Sequence, residues 1–254
     1  MFEIFRTPYV DSKQLPLATG PVPILIIITG YLLVIFKGGR KFMKHREAYK
    51  LNGVLKCYNM IQILYNIAML LPGFYFLFVF RPYNFKCMKV LPQDHPLKNW
   101  ERTIAYAYYI NKIVDLLDTF FIVLRKKYRQ ITYLHVFHHV LMPSAGYLII
   151  RFHGYGGHLF LLCFLNVIVH VVMYCYYYSA IAGSAVPWKR YLTLLQMLQF
   201  ILMFAHCAYT AAQPECQTSQ GMTFLYSCSS AIMLIMFTNF YVQCYMRNSK
   251  QKEN

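Results

Sequence analysis

The chain has 254 residues, of which 58% are hydrophobic and only 13% are charged, and its formal net charge is +16. This composition is too apolar for an ordinary soluble domain of that length. The basic residues fall in short runs between apolar segments, as membrane topology requires, so the positive charge does not indicate nucleic-acid binding. The composition therefore predicts an integral membrane protein and excludes nucleic acid as a partner.

Seven apolar segments have the length of about 20 residues that a helix needs to cross a bilayer. In chain order they are 21–36, 54–80, 103–124, 131–150, 158–182, 188–210 and 222–246. The first lacks a cleavage site of small residues followed by a soluble domain, so we interpret it as a retained helix and not a signal peptide. We expect one all-α integral domain over residues 1–254, built as a seven-transmembrane-helix bundle.

Lys and Arg are unevenly distributed among the loops. They are frequent after the first, third and fifth predicted helices, whereas loop 81–102 also holds Asp94 and Glu101, and loop 211–221 holds no basic residue. Cytoplasmic loops carry the excess of basic residues. The pattern predicts a lumenal N-terminal segment, 1–20, and a cytosolic tail, 247–254.

The tail carries Lys252 and Lys250, the third and fifth residues from its end. This spacing resembles a dilysine signal for retrieval to the endoplasmic reticulum. Without the topology, a charged tail that is merely exposed to solvent is the simpler interpretation. Because the tail is predicted to be cytosolic in a protein with several spans, we expect retrieval.

Most of the eight cysteines lie in predicted helices, where a thiol is a small apolar side chain. Cys87 and Cys216 lie instead in predicted lumenal loops, where an oxidising compartment permits a disulfide. From spacing alone, a disulfide and two free thiols both stay open.

Polar residues recur at spacings of three and four in four of the predicted helices, and a single such residue usually makes a helix–helix hydrogen bond. Asp118, His135 and Gln196 each lie about 10 Å from the predicted cytosolic ends of their helices, inside the membrane. Ionisable groups are costly in hydrocarbon, so four helices with polar groups near one depth predict a site for a polar substrate. The stripes are Lys112, Asp115, Asp118 and Thr119; His135, His138 and His139; Asn166, His170, Tyr174 and Tyr177; and Thr193, Gln196 and Gln199.

Two chemistries use a histidine cluster of this kind. Neutral imidazoles ligate iron or zinc, and an imidazole also acts as a base or nucleophile. Predicted helices hold only five histidines, which is too few for the histidine boxes of membrane di-iron oxygenases. The number of histidines alone does not decide against a mononuclear zinc site, so this alternative stays open.

Four ordered runs make the chain resemble the very-long-chain fatty acid elongases of the ELOVL family. They look like the four signature boxes of that family, which are, in order, KIVDLLDT (112–119), HVFHH (135–139), HVVMYCYY (170–177) and TLLQMLQ (193–199). The similarity extends from the first helix to the tail. The first run departs from the family pattern, which usually has Glu where this chain has Asp115, and we expect the shorter carboxylate still to pair with a neighbour.

The resemblance implies a 3-oxoacyl-CoA synthase of the endoplasmic reticulum membrane. Such an enzyme joins acyl-CoA to malonyl-CoA and releases CO2 and CoA, with no metal and no bound cofactor. It also implies a helix bundle around a narrow acyl-chain tunnel that is closed toward the lumen. Expected partners are the lipid bilayer, the reductases and dehydratase of the elongation cycle, and a second copy of the chain in a homo-oligomer.

The resemblance also implies roles for individual residues. His138 is expected to accept the acyl group in a ping-pong reaction, and His170 to assist decarboxylation. His135 and His139 orient the site, while Asp115 and Asp118 fix imidazole tautomers or the charge of Lys112. The substrate-binding residues implied are Lys112, Arg125, Lys127, Gln130, Asn166, Tyr174, Lys189, Thr193, Gln196 and Arg247. The family's lumenal cysteine pair falls on Cys87 and Cys216.

Three other classes have many apolar helices: seven-helix receptors, transporters and histidine-box desaturases or hydroxylases. A receptor places its ligand toward the extracellular half, whereas this polar layer lies toward the predicted cytosolic side. A transporter is expected to have repeated halves with broken midplane helices, but only one predicted helix holds a break, at Pro143 and Gly146. A metalloenzyme would lose its product on chelation.

Overall fold

The computed structural model describes residues 8–216 and 220–247. Helices account for 74% of these described residues. Within the described ranges there is no β-strand, only an isolated bridge between Asn84 and Cys87. The all-α prediction is therefore confirmed.

The chain forms two compact units, each made of two separate stretches of sequence. The first comprises the described residues up to Lys50 together with Lys89–Phe160, and the second comprises Leu51–Met88 and the described residues from Leu161 onward. The expectation of a single integral domain stays a prediction.

The first unit contains five α-helices and a short 3-10 helix. Residues 34–38 continue α1 into α2 as π-helical turns, so these pieces form one rod from Pro21 to Met43. The elements are α1 (Pro21–Leu33), α2 (Gly39–Met43), α4 (Lys98–Val114), α5 (Leu117–Leu124), the 3-10 helix (Tyr128–Gln130) and α6 (Tyr133–Phe152).

The second unit contains four long helices. Two of them end in π-helical turns, at Tyr75–Phe80 and Val242–Arg247. The helices are α3 (Asn52–Phe74), α7 (His158–Ala182, whose first residues belong to the first unit), α8 (Lys189–Ala211) and α9 (Gln220–Tyr241).

Five of these helices are long and apolar enough to cross a membrane. They are Pro21–Met43, Asn52–Phe80, His158–Ala182, Lys189–Ala211 and Gly221–Met246. They match five of the seven predicted segments with small differences at the ends.

The other two predicted segments, 103–124 and 131–150, are helical but differ from simple spans. The first is divided into α4 and α5 at Asp115 and Leu116. The second corresponds to α6, which includes three histidines and Arg151, and these lower its hydropathy. The count of seven spans and the orientation of the termini stay predictions.

Helix α4 begins at Lys98, five residues before the predicted segment, because a buried ion cluster stabilises its first turns. Lys98 Nζ lies 2.7 Å from Glu101 Oε2 and 3.4 Å from Asp11 Oδ2. Arg102 donates to Asp11 Oδ1 through Nε at 3.0 Å and through a terminal nitrogen at 2.9 Å. Two cations thus meet two carboxylates in a buried position, as buried charges require.

The ion cluster also fixes the loop that follows α6. At Gly156, which has a φ of 144°, an added Cβ would lie 1.8 Å from Glu101 Oε1, so only glycine fits there. Arg151 donates to the carbonyl of Pro8 at 3.0 Å and lies 4.0 Å from the ring centroid of Tyr9. The N-terminal segment is therefore attached to both α4 and α6.

The second unit holds one disulfide, between Cys87 and Cys216, with a Cα–Cα distance of 5.5 Å. It joins the segment after α3 to the segment after α8. This is the cysteine pair that the family resemblance implied. The other six cysteines, all among the described residues, are not in disulfides.

Candidate active site

The three histidines of the HVFHH run lie in the first two turns of α6. Thr132 is the N-cap residue, and its hydroxyl accepts a hydrogen bond from the His135 backbone N–H at 3.2 Å. The ring centroids of His135 and His139 are 4.3 Å apart, and those of His138 and His139 are 5.5 Å apart. The helix thus brings three imidazoles into one cluster, in which His139 is buried and the other two are partly exposed.

A hydroxyl relay holds one of these imidazoles. Thr119 Oγ1 lies 2.8 Å from His135 Nε2 and 2.9 Å from the hydroxyl of Tyr31. Thr119 is completely buried and Tyr31 is 2% exposed. The relay fixes the orientation of the His135 ring from its Nε2 side.

The polar stripes of the sequence include Thr119 but not Tyr31. Tyr31 is 88 residues from Thr119 in sequence and lies in an apolar helix without a polar stripe of its own. It packs in a core cluster with Ile35, Met43, Leu116 and Val123. Only the packing of α1 and α2 against α5 reveals its contact with the site.

The break between α4 and α5 occurs at the acidic run of the first box. Here Leu116, Asp118 and Thr119 donate backbone hydrogen bonds to residues three positions earlier, at 3.1–3.2 Å. Bonds of this kind tighten the helix locally, and such a stretch often marks a functional region. The sequence pattern, which fits a continuous helix, did not predict the break.

Lys112 and Asp115 form a buried ion pair beside this break. Lys112 Nζ lies 3.0 Å from Asp115 Oδ2, and both residues are at most 3% exposed. Lys112 Nζ also lies 4.9 Å from the ring centroid of Tyr108. The aspartate therefore reaches its neighbour although it is shorter than the family's usual glutamate. Asp118 lies in the first turn of α5 and is partly buried.

The other two boxes lie in the second unit, on α7 and α8. Asn166, His170 and Tyr174 are buried along α7, and the ring centroids of His170 and Tyr174 are 5.8 Å apart. Asn166 Nδ2 donates to Gln199 Oε1 on α8 at 3.4 Å. Gln196 Nε2 lies 3.9 Å from Met173 Sδ. The polar stripes of these two helices thus contact each other.

The remaining residues expected to bind substrate lie at the ends of helices. Arg125 follows α5 and is half-buried, Lys127 and Gln130 are exposed, and Lys189 is the exposed first residue of α8. Thr193 is buried, with its hydroxyl 3.4 Å from the Lys189 carbonyl.

Two of the residues named from sequence, Lys250 and Lys252, lie outside the described residues, and so does the side chain of Arg247. Within the described ranges, no group of three or more His, Cys, Asp and Glu side chains is placed to hold a metal ion.

A sequence model of the ELO family, described as GNS1/SUR4, matches residues 16–253. The chain belongs to the ELO family. It is 44% identical over 246 residues to very long chain fatty acid elongase F of Drosophila melanogaster, covering 95% of this chain and 96% of the relative. It is also 34% identical to very long chain fatty acid elongase 4 of Homo sapiens, covering 93% of this chain and 76% of the relative.

A third relative of this elongase family is very long chain fatty acid elongase 7 of Rattus norvegicus. It is 33% identical over 244 residues, which cover 92% of this chain and 84% of the relative. All four boxes fall within the family match. Together with five apolar helices of spanning length, family membership indicates a multi-pass membrane protein of fatty acid elongation.

Proposed function

We propose that the chain catalyses the condensing step of fatty acid elongation. In this step a long-chain acyl-CoA and malonyl-CoA give 3-oxoacyl-CoA, CO2 and CoA, and the chain grows by two carbons. The observation that carries the proposal is the imidazole cluster on α6, in which the relay from Tyr31 and Thr119 holds His135. Membership of the elongase family supports the same reaction.

His138 is the proposed acyl acceptor. A neutral ring nitrogen attacks the thioester carbonyl, the carbon–sulfur bond breaks, and CoA leaves as the thiolate, which takes the N–H proton that the acylated ring loses. The acyl group then resides on the imidazole. His138 is partly exposed next to the buried ring of His139, so substrate can approach it while a neighbour fixes it.

Malonyl-CoA then supplies the carbon nucleophile. Loss of CO2 leaves its electron pair on the α-carbon as an enolate, which attacks the acyl carbonyl. The carbon–nitrogen bond to His138 breaks, its electron pair stays on the ring nitrogen, and that nitrogen takes up a proton from solvent, which restores the neutral imidazole for the next cycle. His170 is the residue proposed to assist decarboxylation, because its imidazole can stabilise enolate charge.

The groups around His138 act by orientation and charge. His135, held by Thr119, and His139 orient the cluster and donate hydrogen bonds to the oxygen of the reacting thioester. Asp115 keeps Lys112 paired in a buried position. The proposed role of Asp115 and Asp118 is to fix imidazole tautomers or the charge of Lys112.

Basic and amide side chains are the proposed contacts of CoA and the thioester. Arg suits bidentate contacts with phosphate, and Lys supplies a point charge. The proposed set is Lys112, Arg125, Lys127, Gln130, Asn166, Tyr174, Lys189, Thr193, Gln196 and Arg247.

For topology we propose seven spans, with the segments 103–124 and 131–150 as the two less apolar ones. The N-terminal segment is then lumenal and the tail cytosolic, in the endoplasmic reticulum membrane, with Lys250 and Lys252 as the retrieval signal. The disulfide between Cys87 and Cys216 supports an oxidising compartment on its side of the membrane. A narrow acyl-chain tunnel and a homo-oligomer belong to this proposal.

The test is an assay of purified protein with malonyl-CoA and a series of acyl-CoA lengths. We expect CO2 release that requires both substrates, and a 3-oxoacyl product two carbons longer than the acyl donor. His138→Ala abolishes both, whereas His206→Ala, outside the boxes, retains them. A transporter or receptor would release no CO2, and a metalloenzyme would stop on chelation, so either result would overturn the proposal.

A further inference from the structure

The first unit has a surface pocket of about 330 Å³ at the end of the rod formed by α1 and α2. Five residues line it: Arg40, Met43, Lys44, Lys126 and Tyr128. Three of them are cations and none is a carboxylate. Among the described residues, none of these three cations has a carboxylate within the 4.0 Å of an ion pair. The pocket therefore concentrates positive charge that the protein itself does not neutralise.

Helix spacing and packing build this pocket. Arg40 and Lys44 are four residues apart, so their side chains project from one face of α2 and its end. The Arg40 guanidinium lies 5.4 Å from the ring centroid of Tyr128, which holds it in place. Met43 is completely buried and forms the apolar floor.

Lys126 has a backbone conformation that is unfavourable for lysine. Its φ is 54°, in the left-handed region that favours glycine. Its N–H donates to the Val123 carbonyl, and the N–H of Lys127 donates to the Ile122 carbonyl, each at 3.0 Å. These are the two hydrogen bonds of a Schellman motif after α5, in which glycine is the usual residue at the position of Lys126.

A strained residue at a pocket points to function when the local structure alone would favour another residue. Glycine would close α5 without strain, yet this chain has a lysine there that adds the third cation to the pocket. The end of a candidate membrane span is also the level at which lipid headgroups lie.

We propose that Arg40, Lys44 and Lys126 bind a phosphate group, carried by a lipid headgroup or free in solution. Three convergent cations suit a phosphate, because its oxygens accept several charge-assisted hydrogen bonds at once. None of the three belongs to the residues proposed for the elongation reaction. The pocket is thus a separate binding site, and its occupancy does not depend on the condensation chemistry.

The experiment measures binding to the full chain in a neutral detergent by microscale thermophoresis. Dioctanoyl phosphatidic acid is the lipid probe, and dioctanoylglycerol is its matched control with the same acyl chains and no phosphate. Inorganic phosphate is the soluble probe. Saturable binding of phosphatidic acid and not of dioctanoylglycerol identifies a headgroup site, and equally tight binding of inorganic phosphate identifies a soluble source.

Lys126→Gly is the sharpest variant, because it removes one cation and relieves the strain together. We expect thermal stability to rise and phosphate binding to weaken by about threefold or more. Arg81→Gly is the matched control: Arg81 also has a left-handed φ, of 47°, and lies outside the pocket. It also loses one positive charge, and its phosphate binding should change by less than about twofold.

The variant Arg40→Gln/Lys44→Gln extends the test to the other two cations. We expect it to weaken phosphate binding by about tenfold, while Lys37→Gln/Lys41→Gln, with the same loss of charge, has little effect. If the double variant fails to fold, Lys126→Gly still decides the result. Equal binding by the wild type and all pocket variants would overturn the proposal. These cations would then only contribute to the orientation of the chain in the membrane.

Discussion

His135 is held by a hydroxyl and not by a carboxylate. Imidazoles that work in catalysis are commonly oriented by a third group on the far ring nitrogen. Here Thr119 Oγ1 contacts His135 Nε2, and Tyr31 in turn contacts Thr119. A hydroxyl both donates and accepts, so this relay fits either neutral tautomer of His135.

Thr119→Val keeps the shape of the side chain and removes the hydroxyl. We expect kcat to fall by about tenfold to a hundredfold, because the His135 ring loses its orienting contact. Thr119→Ser should restore most of the activity. The measurement is CO2 release at saturating substrates.

Thr210→Val is the matched control, since Thr210 is 1% exposed and lies on α8 outside the boxes. Its kcat should stay within about twofold of the wild type, as for most changes away from a site. An unchanged kcat in Thr119→Val would show that the relay only stabilises the fold.

The ion pair of Lys112 and Asp115 supports a second prediction. Asp115→Asn leaves a buried ammonium without its counter-charge, which should reduce the free energy of unfolding by about 3 kcal/mol. Asp115→Glu, with the carboxylate that the family usually has, should keep the pair.

Thermal or denaturant unfolding in detergent measures these changes in stability. The double variant Lys112→Met/Asp115→Leu should lose less stability than Asp115→Asn, because no unpaired charge remains. If Asp115→Asn has the same free energy of unfolding as the wild type, the ion pair of Lys112 and Asp115 does not stabilise the fold.

At the scale of elements, the N-terminal segment is attached to α4 by the cluster of Asp11, Lys98, Glu101 and Arg102. Burial alone would raise the pKa of Asp11, but the hydrogen bonds from Arg102 and the Lys13 backbone and the charges of Lys98 and Arg102 outweigh it. The pKa of Asp11 in the folded protein therefore lies below its ordinary value.

This lowered pKa predicts how stability depends on pH. A carboxyl whose pKa is depressed by folding stabilises the protein above its unfolded pKa of about 3.9, and the effect is lost as pH falls through the folded pKa. Asp11→Asn should therefore be less stable than the wild type near pH 7, and the difference should shrink below about pH 4.

Unfolding of both proteins between pH 7 and pH 3 measures that difference. Asp94→Asn is the control, because Asp94 is exposed and lies outside the cluster. It should have little effect at any pH. A constant difference between wild type and Asp11→Asn down to pH 3 would contradict the role of the charged Asp11.

The sequence predicted helices better than it predicted their interruptions and contacts. Spacings of three and four place the polar residues correctly on α6, α7 and α8, because such periodicity is a local property. The break at Asp115 and Leu116 was not predicted, since the apolar pattern runs through it. The start of α4 at Lys98 was missed because charged residues there are neutralised by Asp11, far away in sequence.

Only part of the candidate site can be predicted from the sequence, because local patterns do not reveal contacts between distant segments. Each of the four boxes is a continuous run of residues, so the sequence alone identifies it. Tyr31 and the cations of the phosphate pocket come from segments about 80 residues or more apart, so only tertiary packing reveals them.

At the scale of the whole molecule, the disulfide closes a long loop, because Cys87 and Cys216 are 129 residues apart in sequence. Loop closure of this size restricts the unfolded chain, so Cys87→Ser/Cys216→Ser should lose about 4 kcal/mol of stability. Thermal unfolding with and without reductant measures this.

The exposed free thiol Cys57 gives the control, Cys57→Ser, which should unfold like the wild type in both conditions. If complete reduction, verified by thiol labelling, leaves wild-type unfolding unchanged, the disulfide does not contribute to stability.

The acylation of His138 that we propose can be measured directly. The direct measurement is intact and peptide mass spectrometry after rapid mixing of the protein with acyl-CoA and no malonyl-CoA. We expect one released CoA per active chain and one added acyl mass on the peptide with His138. This added mass should be absent in His138→Ala and should be discharged by malonyl-CoA. CoA release that requires malonyl-CoA, with no acylated protein, would contradict the proposal.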